Sequence, residues 1–248
     1  MKLKLVVLAA SLLASGAVMA QAAAETKGPE PDYTLSVNVG AVTDYRYRGI
    51  SQSRLKPALQ AGADFAHKSG FYIGTWGSSI KWIKDGGGDA DVEIDLYGGY
   101  KFNAGPVGVD VGALRYFYPS SKLGVNPDTT ELYVAGTYGP ATLKYSHAVT
   151  NLFGFADSKN SYYLDLSASF DTGYWGLTFV PHIGYQRVAH NSDFSYTDWS
   201  LGLGKDFGNG ISMSLAYVDT NADGYFAPSG KKLGRAAAVL GAKYTYGF

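Results

Sequence analysis

Tyr33-Thr34-Leu35-Ser36-Val37-Asn38-Val39-Gly40-Ala41-Val42-Thr43-Asp44-Tyr45-Arg46-Tyr47 is the stretch on which the fold turns. Its odd positions are Tyr33, Leu35, Val37, Val39, Ala41, Thr43, Tyr45 and Tyr47, whereas the even ones include Thr34, Ser36, Asn38, Gly40, Asp44 and Arg46. Successive side chains of an extended chain point to opposite faces, so this spacing predicts a strand with one greasy face and one wet face. Between 91 and 102 the same contrast sets Val92, Ile94, Leu96, Tyr100 and Phe102 against Glu93, Asp95 and Lys101. Ten further segments follow at 58–66, 71–80, 107–118, 131–138, 141–149, 161–170, 175–186, 196–207, 211–218 and 235–248. Two of them are irregular. Segment 71–80 carries apolar residues on both parities, and Pro181 sits inside 175–186, where the missing N–H predicts a bulge or a loosely paired position.

The connections sort into two kinds. Those at 67–70, 103–106, 139–140, 171–174 and 208–210 are short; those near 48–57, 81–90, 119–130, 150–160, 187–195 and 219–234 are long, and the two kinds alternate without exception. A barrel that crosses a membrane has tight turns at one end and longer loops at the other, whereas a soluble sandwich has no reason to keep this order. Phe65, Phe71, Tyr100, Phe102, Tyr138, Phe170, Trp175 and Phe207 flank the short turns and are expected to form one aromatic girdle. Tyr45, Tyr47, Tyr162, Tyr185, Trp199 and Tyr217 are expected to form the other. The fold class expected is therefore all-β, a transmembrane antiparallel β-barrel of twelve strands with both termini in the periplasm.

Composition agrees. Gly is 32 of 248 residues, Tyr is 20, and charged residues make up 17% against about 25% in ordinary soluble domains. Lys+Arg and Asp+Glu are both 21, which lacks the basic excess that a nucleic-acid partner requires. With no cysteine, disulfides, Cys-ligated metals and thiol nucleophiles are excluded. Lys2 and Lys4, the apolar run 5–13 and the small-residue site Val18-Met19-Ala20 have the order of an export signal. Residues 1–20 are thus expected to be a signal peptide, 21–32 a short N-terminal periplasmic segment and 33–248 the barrel.

If the greasy parity meets lipid, the other faces a lumen. Its acidic members are Asp44, Asp64, Glu93, Asp95, Asp110, Glu131, Asp165 and Asp198, and its basic ones Arg46, Arg48, Lys101, Lys144, Arg235 and Lys243. Eight against six predicts no strong ion selectivity. These charges suit either an eyelet that orients passing solutes or a ladder of cross-strand salt bridges filling a narrow barrel. Asp219, Asn221 and Asp223 before Gly224 reproduce the opening of a calcium loop, but the closing position is Gly230 rather than a bidentate Glu, so no metal is assigned. His67, His147, His182 and His190 stand near no HExxH, GxSxG or P-loop pattern, and no cofactor is implied.

The final strand alternates through Ala238, Leu240, Ala242, Tyr244, Tyr246 and Phe248. It resembles the closing strand of bacterial outer-membrane proteins, and the resemblance implies that Tyr244, Tyr246 and Phe248 are the signal for the barrel-insertion machinery. Thr43-Asp44-Tyr45-Arg46-Tyr47-Arg48-Gly49-Ile50-Ser51-Gln52-Ser53 and Pro57-Ala58-Leu59-Gln60 are similar to motifs of the TorF-type family of outer-membrane porins. So are Gly70-Phe71-Tyr72-Ile73-Gly74-Thr75-Trp76-Gly77-Ser78, Glu93-Ile94-Asp95-Leu96-Tyr97-Gly98-Gly99-Tyr100 and Tyr116-Phe117-Tyr118-Pro119. That likeness implies an outer-membrane barrel in a Gram-negative bacterium, surrounded by outer-membrane lipid, and little about substrate. The function expected is passive, weakly selective diffusion of small solutes. A non-conducting adhesin, receptor or structural barrel is the alternative, and an outer-membrane lipid hydrolase is a third.

Overall fold

The computed structural model describes residues 31–248, so the signal segment 1–20 and most of 21–32 lie outside the described residues. Twelve antiparallel strands form the wall. They are β1 (Tyr33–Val42), β2 (Ala58–His67), β3 (Phe71–Ser79), β4 (Val92–Ala104), β5 (Val107–Phe117) and β6 (Thr129–Tyr138). β7 (Ala141–Ala148) and β8 (Tyr162–Ala168, resuming as Phe170–Asp171) follow, then β9 (Leu177–Arg187), β10 (Tyr196–Gly208), β11 (Ile211–Thr220) and β12 (Ala237–Gly247). Each strand pairs with the next, and β12 returns to β1 with Val39 opposite Tyr244 and Ala41 opposite Ala242. The sheet therefore closes on itself, which leaves no unpaired edge for lipid to face. Short turns and long loops fall at opposite ends, as the spacing of the connections predicts.

Pro181 has the expected effect without a bulge. Ser167↔His182 and Phe170↔Phe179 keep one register, and the rungs between them are missing. Ser169 N donates instead to the carbonyl of Pro140 at 2.9 Å.

The outer face carries a continuous apolar belt, with Arg115 and Lys205 toward its two margins. Leu203, Leu215 and Leu240 make one exposed row across β10, β11 and β12, and Leu59, Leu132, Leu143, Leu164 and Ile183 continue the belt. A contiguous apolar surface of this extent has no place in water and is what hydrocarbon requires. Phe71, Tyr100, Phe102, Tyr138, Phe170, Trp175 and Phe207 ring the short-turn end, and Tyr185, Trp199 and Tyr217 the other. In β3 the ambiguity resolves: Phe71 and Ile73 are exposed outward, while Tyr72 and Trp76 turn inward.

The abundance of glycine has a packing cause. Inside the barrel, Tyr97, Tyr72 and Tyr133 each lie across the glycine directly opposite on the neighbouring strand, Gly74, Gly99 and Gly112 respectively. Tyr163, which pairs with Gln186, leans diagonally over Gly184, where an added Cβ would overlap its hydroxyl. Large rings fit flat against the wall only because these slots hold no side chain. Gly184→Ala is expected to displace Tyr163 and cost about 1–3 kcal/mol, as overpacking does, seen as a lower urea midpoint of the refolded protein. An unchanged midpoint would show the slot to be dispensable.

Candidate functional site in the barrel lumen

After Val42 the chain does not continue along the wall. Thr43 makes the last rung, its N donating to Leu240 O at 2.9 Å while its hydroxyl accepts from Leu240 N at 3.0 Å, and residues 44–53 then fold into the lumen. Arg46–Tyr47 and Ile50–Ser51 form a small hairpin whose two central residues, Arg48 (φ 45°) and Gly49 (φ 81°), both adopt the left-handed conformation used by tight type I′ turns. This corrects the expectation that the first strand runs on to Tyr47. Tyr45 and Tyr47, expected in the outer girdle, are 4% and 8% exposed inside the barrel. Their rings are apolar enough to match the greasy parity, yet each hydroxyl has a luminal partner: Tyr45 Oη donates to Glu93 Oε1 at 2.5 Å and Tyr47 Oη meets Tyr116 Oη at 2.7 Å.

The inward segment ties to nearly every side of the wall. Arg46 holds Asp44 through Nε at 2.7 Å, and its Nη1 reaches the carbonyls of Gly49 at 2.9 Å and Arg235 at 2.8 Å. Arg48 donates to both oxygens of Glu131 on β6, at 3.0 and 2.7 Å, and to Gln186 Oε1 on β9 at 2.5 Å. Its guanidinium lies over the rings of Tyr47 and Tyr163, 4.7 and 4.2 Å from their centroids. At this level the lumen is packed: Asp95, Glu131, Asp198, Glu93, Tyr116 and Gln186, from five different strands, are each no more than 2% exposed.

Carboxylates on the wall are matched largely by tyrosine hydroxyls. Tyr118 joins Tyr45 on Glu93 (2.7 Å), Tyr97 donates to Asp64 (2.5 Å), and Tyr72 donates to Asp110 (2.6 Å) and also meets Tyr133. His182 sits between Asp165 (Nε2–Oδ2 2.7 Å) and Asp198 (Nδ1–Oδ2 3.7 Å), and Tyr163 Oη joins the group at 2.9 Å from Asp198 and 3.1 Å from His182. Toward the short-turn end, Lys101 and Lys144 place their ammonium groups over Tyr72 and Tyr133 at 4.8 and 4.2 Å.

Of the predicted luminal charges, Asp64, Glu93, Asp95, Lys101, Asp110, Glu131, Lys144, Asp165, Asp198 and Lys243 stand on inward positions of the wall strands. Asp44, Arg46 and Arg48 are in the lumen but on the infolded segment. Arg235 is the exception. It precedes β12, is exposed, and contributes only its carbonyl to Arg46, so the candidates that face inward are eight acidic and five basic; Asp171 and Asp206, which were not candidates, share the inward rows of Gly204 and Lys243. His182, Gln186, Tyr116 and Tyr163 were not among the candidates, because period-two reading ranks charge and passes over neutral polar groups on the same face. The calcium-like stretch is not assembled either: Asp219 accepts from Thr220 N, Asn221 from Thr197 N, and Asp223 pairs with Lys232. In the loops beyond the wall, hydrogen bonds from Lys81 and Lys84 hold the Asp91 carboxyl below its ordinary range, and Lys122 does the same for Asp89.

A closed twelve-stranded antiparallel barrel with an apolar belt outside and a charged interior is the architecture of transmembrane barrels of the outer membrane. The chain belongs to the family described as "Bacterial protein of unknown function (Gcw_chp)", whose model matches residues 24–246. No curated protein matches it by sequence. Among solved structures it is similar to "KdgM porin in complex with disordered oligogalacturonate" at 8% identity and a TM-score of 0.54, over 86% of this chain and 99% of that one. A second barrel, from "Unveiling the Mechanism Behind the in-meso Crystallization of Membrane Proteins", aligns at 9% identity and a TM-score of 0.50, over 87% and 83% of the two chains. At such identities the likeness concerns the fold.

Proposed function

We propose that this protein is an outer-membrane channel of the TorF-type porin group, passing small hydrated solutes across the outer membrane of a Gram-negative bacterium. The observation that carries the reading is the inner face itself, which bears ionic and hydroxyl groups along its length inside a ring with no open edge. Diffusion would follow the fixed charges, and an inner face on which acids outnumber bases gives the lumen a mild preference for cations. Planar-bilayer recording of the purified protein is expected to show stepwise conductance, with a reversal potential in a KCl gradient that favours potassium over chloride. Asp64→Asn with Asp110→Asn is expected to reduce that preference. Reversal at the chloride side, or a shift toward potassium in the double variant, would reject the charge assignment.

The packed upper lumen favours a second reading, a barrel that does not conduct and serves as an adhesin, receptor or structural protein through its loops. A bilayer that stays sealed at all voltages, with a variant lacking residues 44–53 as well as with the unaltered protein, would select it. The hydrolase reading is tested separately by turnover of phospholipid or ester substrates, with His182 set between Asp165 and Asp198. Partners under the proposal are outer-membrane lipid along the belt and the insertion machinery at the last strand, where Tyr244, Tyr246 and Phe248 are all exposed outward.

A further inference from the structure

We propose that residues 43–57 are a gate for the lumen, latched by insertion of Arg48 into a guanidinium-binding cage built on the barrel wall. This rests on the channel reading above. The segment is the element that fills the lumen at the level of Glu131 and Asp198, and it carries no pairing to the wall ladder beyond Thr43. Besides the packing of Tyr45, Tyr47 and Ile50, what secures it is a set of polar contacts, of which the Arg48 site is the densest. Glu131 supplies a two-pronged carboxylate, Gln186 an amide oxygen and Tyr163 a ring face, from β6, β9 and β8 respectively. A planar, five-donor cation is the group that matches a carboxylate fork, a further acceptor and an aromatic face at once. The wall therefore offers a site of defined chemistry, and the chain fills it with its own arginine.

The geometry of the segment suits a moving part. Arg48 is held at φ 45° in a conformation that costs a non-glycine residue energy, which its bonds to the wall offset. At the other end Arg54 and Leu55 also have positive φ, 62° and 59°, just before the chain re-enters the wall at Ala58. Thr43 and residues 54–55 are thus two pivots on either side of a short hairpin. Withdrawing Arg48, with release of the bonds that Ser51 N makes to Leu233 O and that Gln52 O takes from Lys81 N, lets the hairpin leave the lumen without breaking any rung of the barrel.

Three measurements on the full-length protein in planar bilayers test this. Arg48→Ala is expected to raise the fraction of time spent open at least about tenfold, since a latch set by a buried charged pair is lost. Guanidinium chloride at about 10–100 mM, the range in which a free ligand rivals a tethered one, is expected to raise the open fraction of the unaltered protein by competing with Arg48 for the cage, and to leave Arg48→Ala unchanged. Tetramethylammonium chloride, which cannot donate hydrogen bonds, is not expected to raise that fraction.

The third measurement does not depend on the latch variant. A Cβ at Gly49 would lie 3.1 Å from that of Thr220, a few tenths of an ångström short of disulfide spacing, but also 2.7 Å from that of Asp198, so Asp198→Gly is carried in both the crosslinked protein and its control. Gly49→Cys with Thr220→Cys, oxidised, is expected to stay closed and to conduct after reduction. Equal conductance in the oxidised and reduced forms would overturn the gate and leave the channel standing. Silence from every variant, including one lacking residues 44–53, would overturn the channel reading and the gate with it.

Discussion

Glu131→Ala is expected to weaken the inward hairpin by about 3–5 kcal/mol, the loss found when one partner of a buried ion pair is removed and the other is left uncompensated. Arg48 and Glu131 are both nearly inaccessible to water, and the two oxygens of Glu131 take both hydrogen bonds from Arg48 Nη2. Without them the guanidinium keeps Gln186 and two ring faces, which carry no formal charge. The wall strands need not unfold to relieve this, because the hairpin can withdraw and hydrate its arginine. The loss should therefore appear locally. Amides of Arg46–Ser51 are expected to exchange with solvent about 10²–10³ times faster, at about 1.4 kcal/mol per tenfold, while those of β9–β12 keep their protection. Glu131→Gln, which retains one acceptor, should fall between. Unchanged exchange in the hairpin would mean that the pair contributes nothing to holding it.

Leu215→Arg is expected to cost about 2–4 kcal/mol, the depth-dependent penalty for a cation on the lipid face of a barrel near the bilayer midplane. Leu215 is 49% exposed, with Leu203 and Leu240 as its cross-strand partners on either side. A soluble sheet would tolerate arginine at a half-exposed site with little effect. Ser214→Arg supplies the contrast, because Ser214 points the other way, into a region walled by small residues such as Gly241. The urea midpoint after refolding into vesicles should drop sharply for the first variant and much less for the second. Equal effects would refute the placement of the leucine row in hydrocarbon.

The wall was legible in the sequence almost residue for residue, because a strand between lipid and a polar lumen imposes a strict period of two and its turns must alternate in length. Phe71 to Ile80 could not be oriented that way, since Tyr72 and Trp76 are as apolar by type as Phe71 and Ile73 and only the lumen's tyrosine packing tells them apart. The infolded hairpin was invisible for a related reason. Asp44, Tyr45, Arg46 and Tyr47 prolong the alternation of β1, and nothing in the pattern marks where the chain leaves the ladder. Arg48-Gly49 was the available signal, as a two-residue turn of this kind accepts glycine at a position with positive φ. His182 escaped notice because its significance lies in Asp165 and Asp198, which come to it from the strands on either side.

Closure of β1 on β12 has a consequence for how the molecule comes to exist. Residues 36–42 find their partners at 241–247, nearly the whole length of the barrel away along the chain. Until that seam zips, two strand edges remain bare, and hydrocarbon offers their amides and carbonyls nothing to bond. A half-built wall thus has no resting place in the bilayer: bringing the ends together and entering the membrane must be a single act, slow for so distant a junction and dependent on whatever shelters the two edges until they meet.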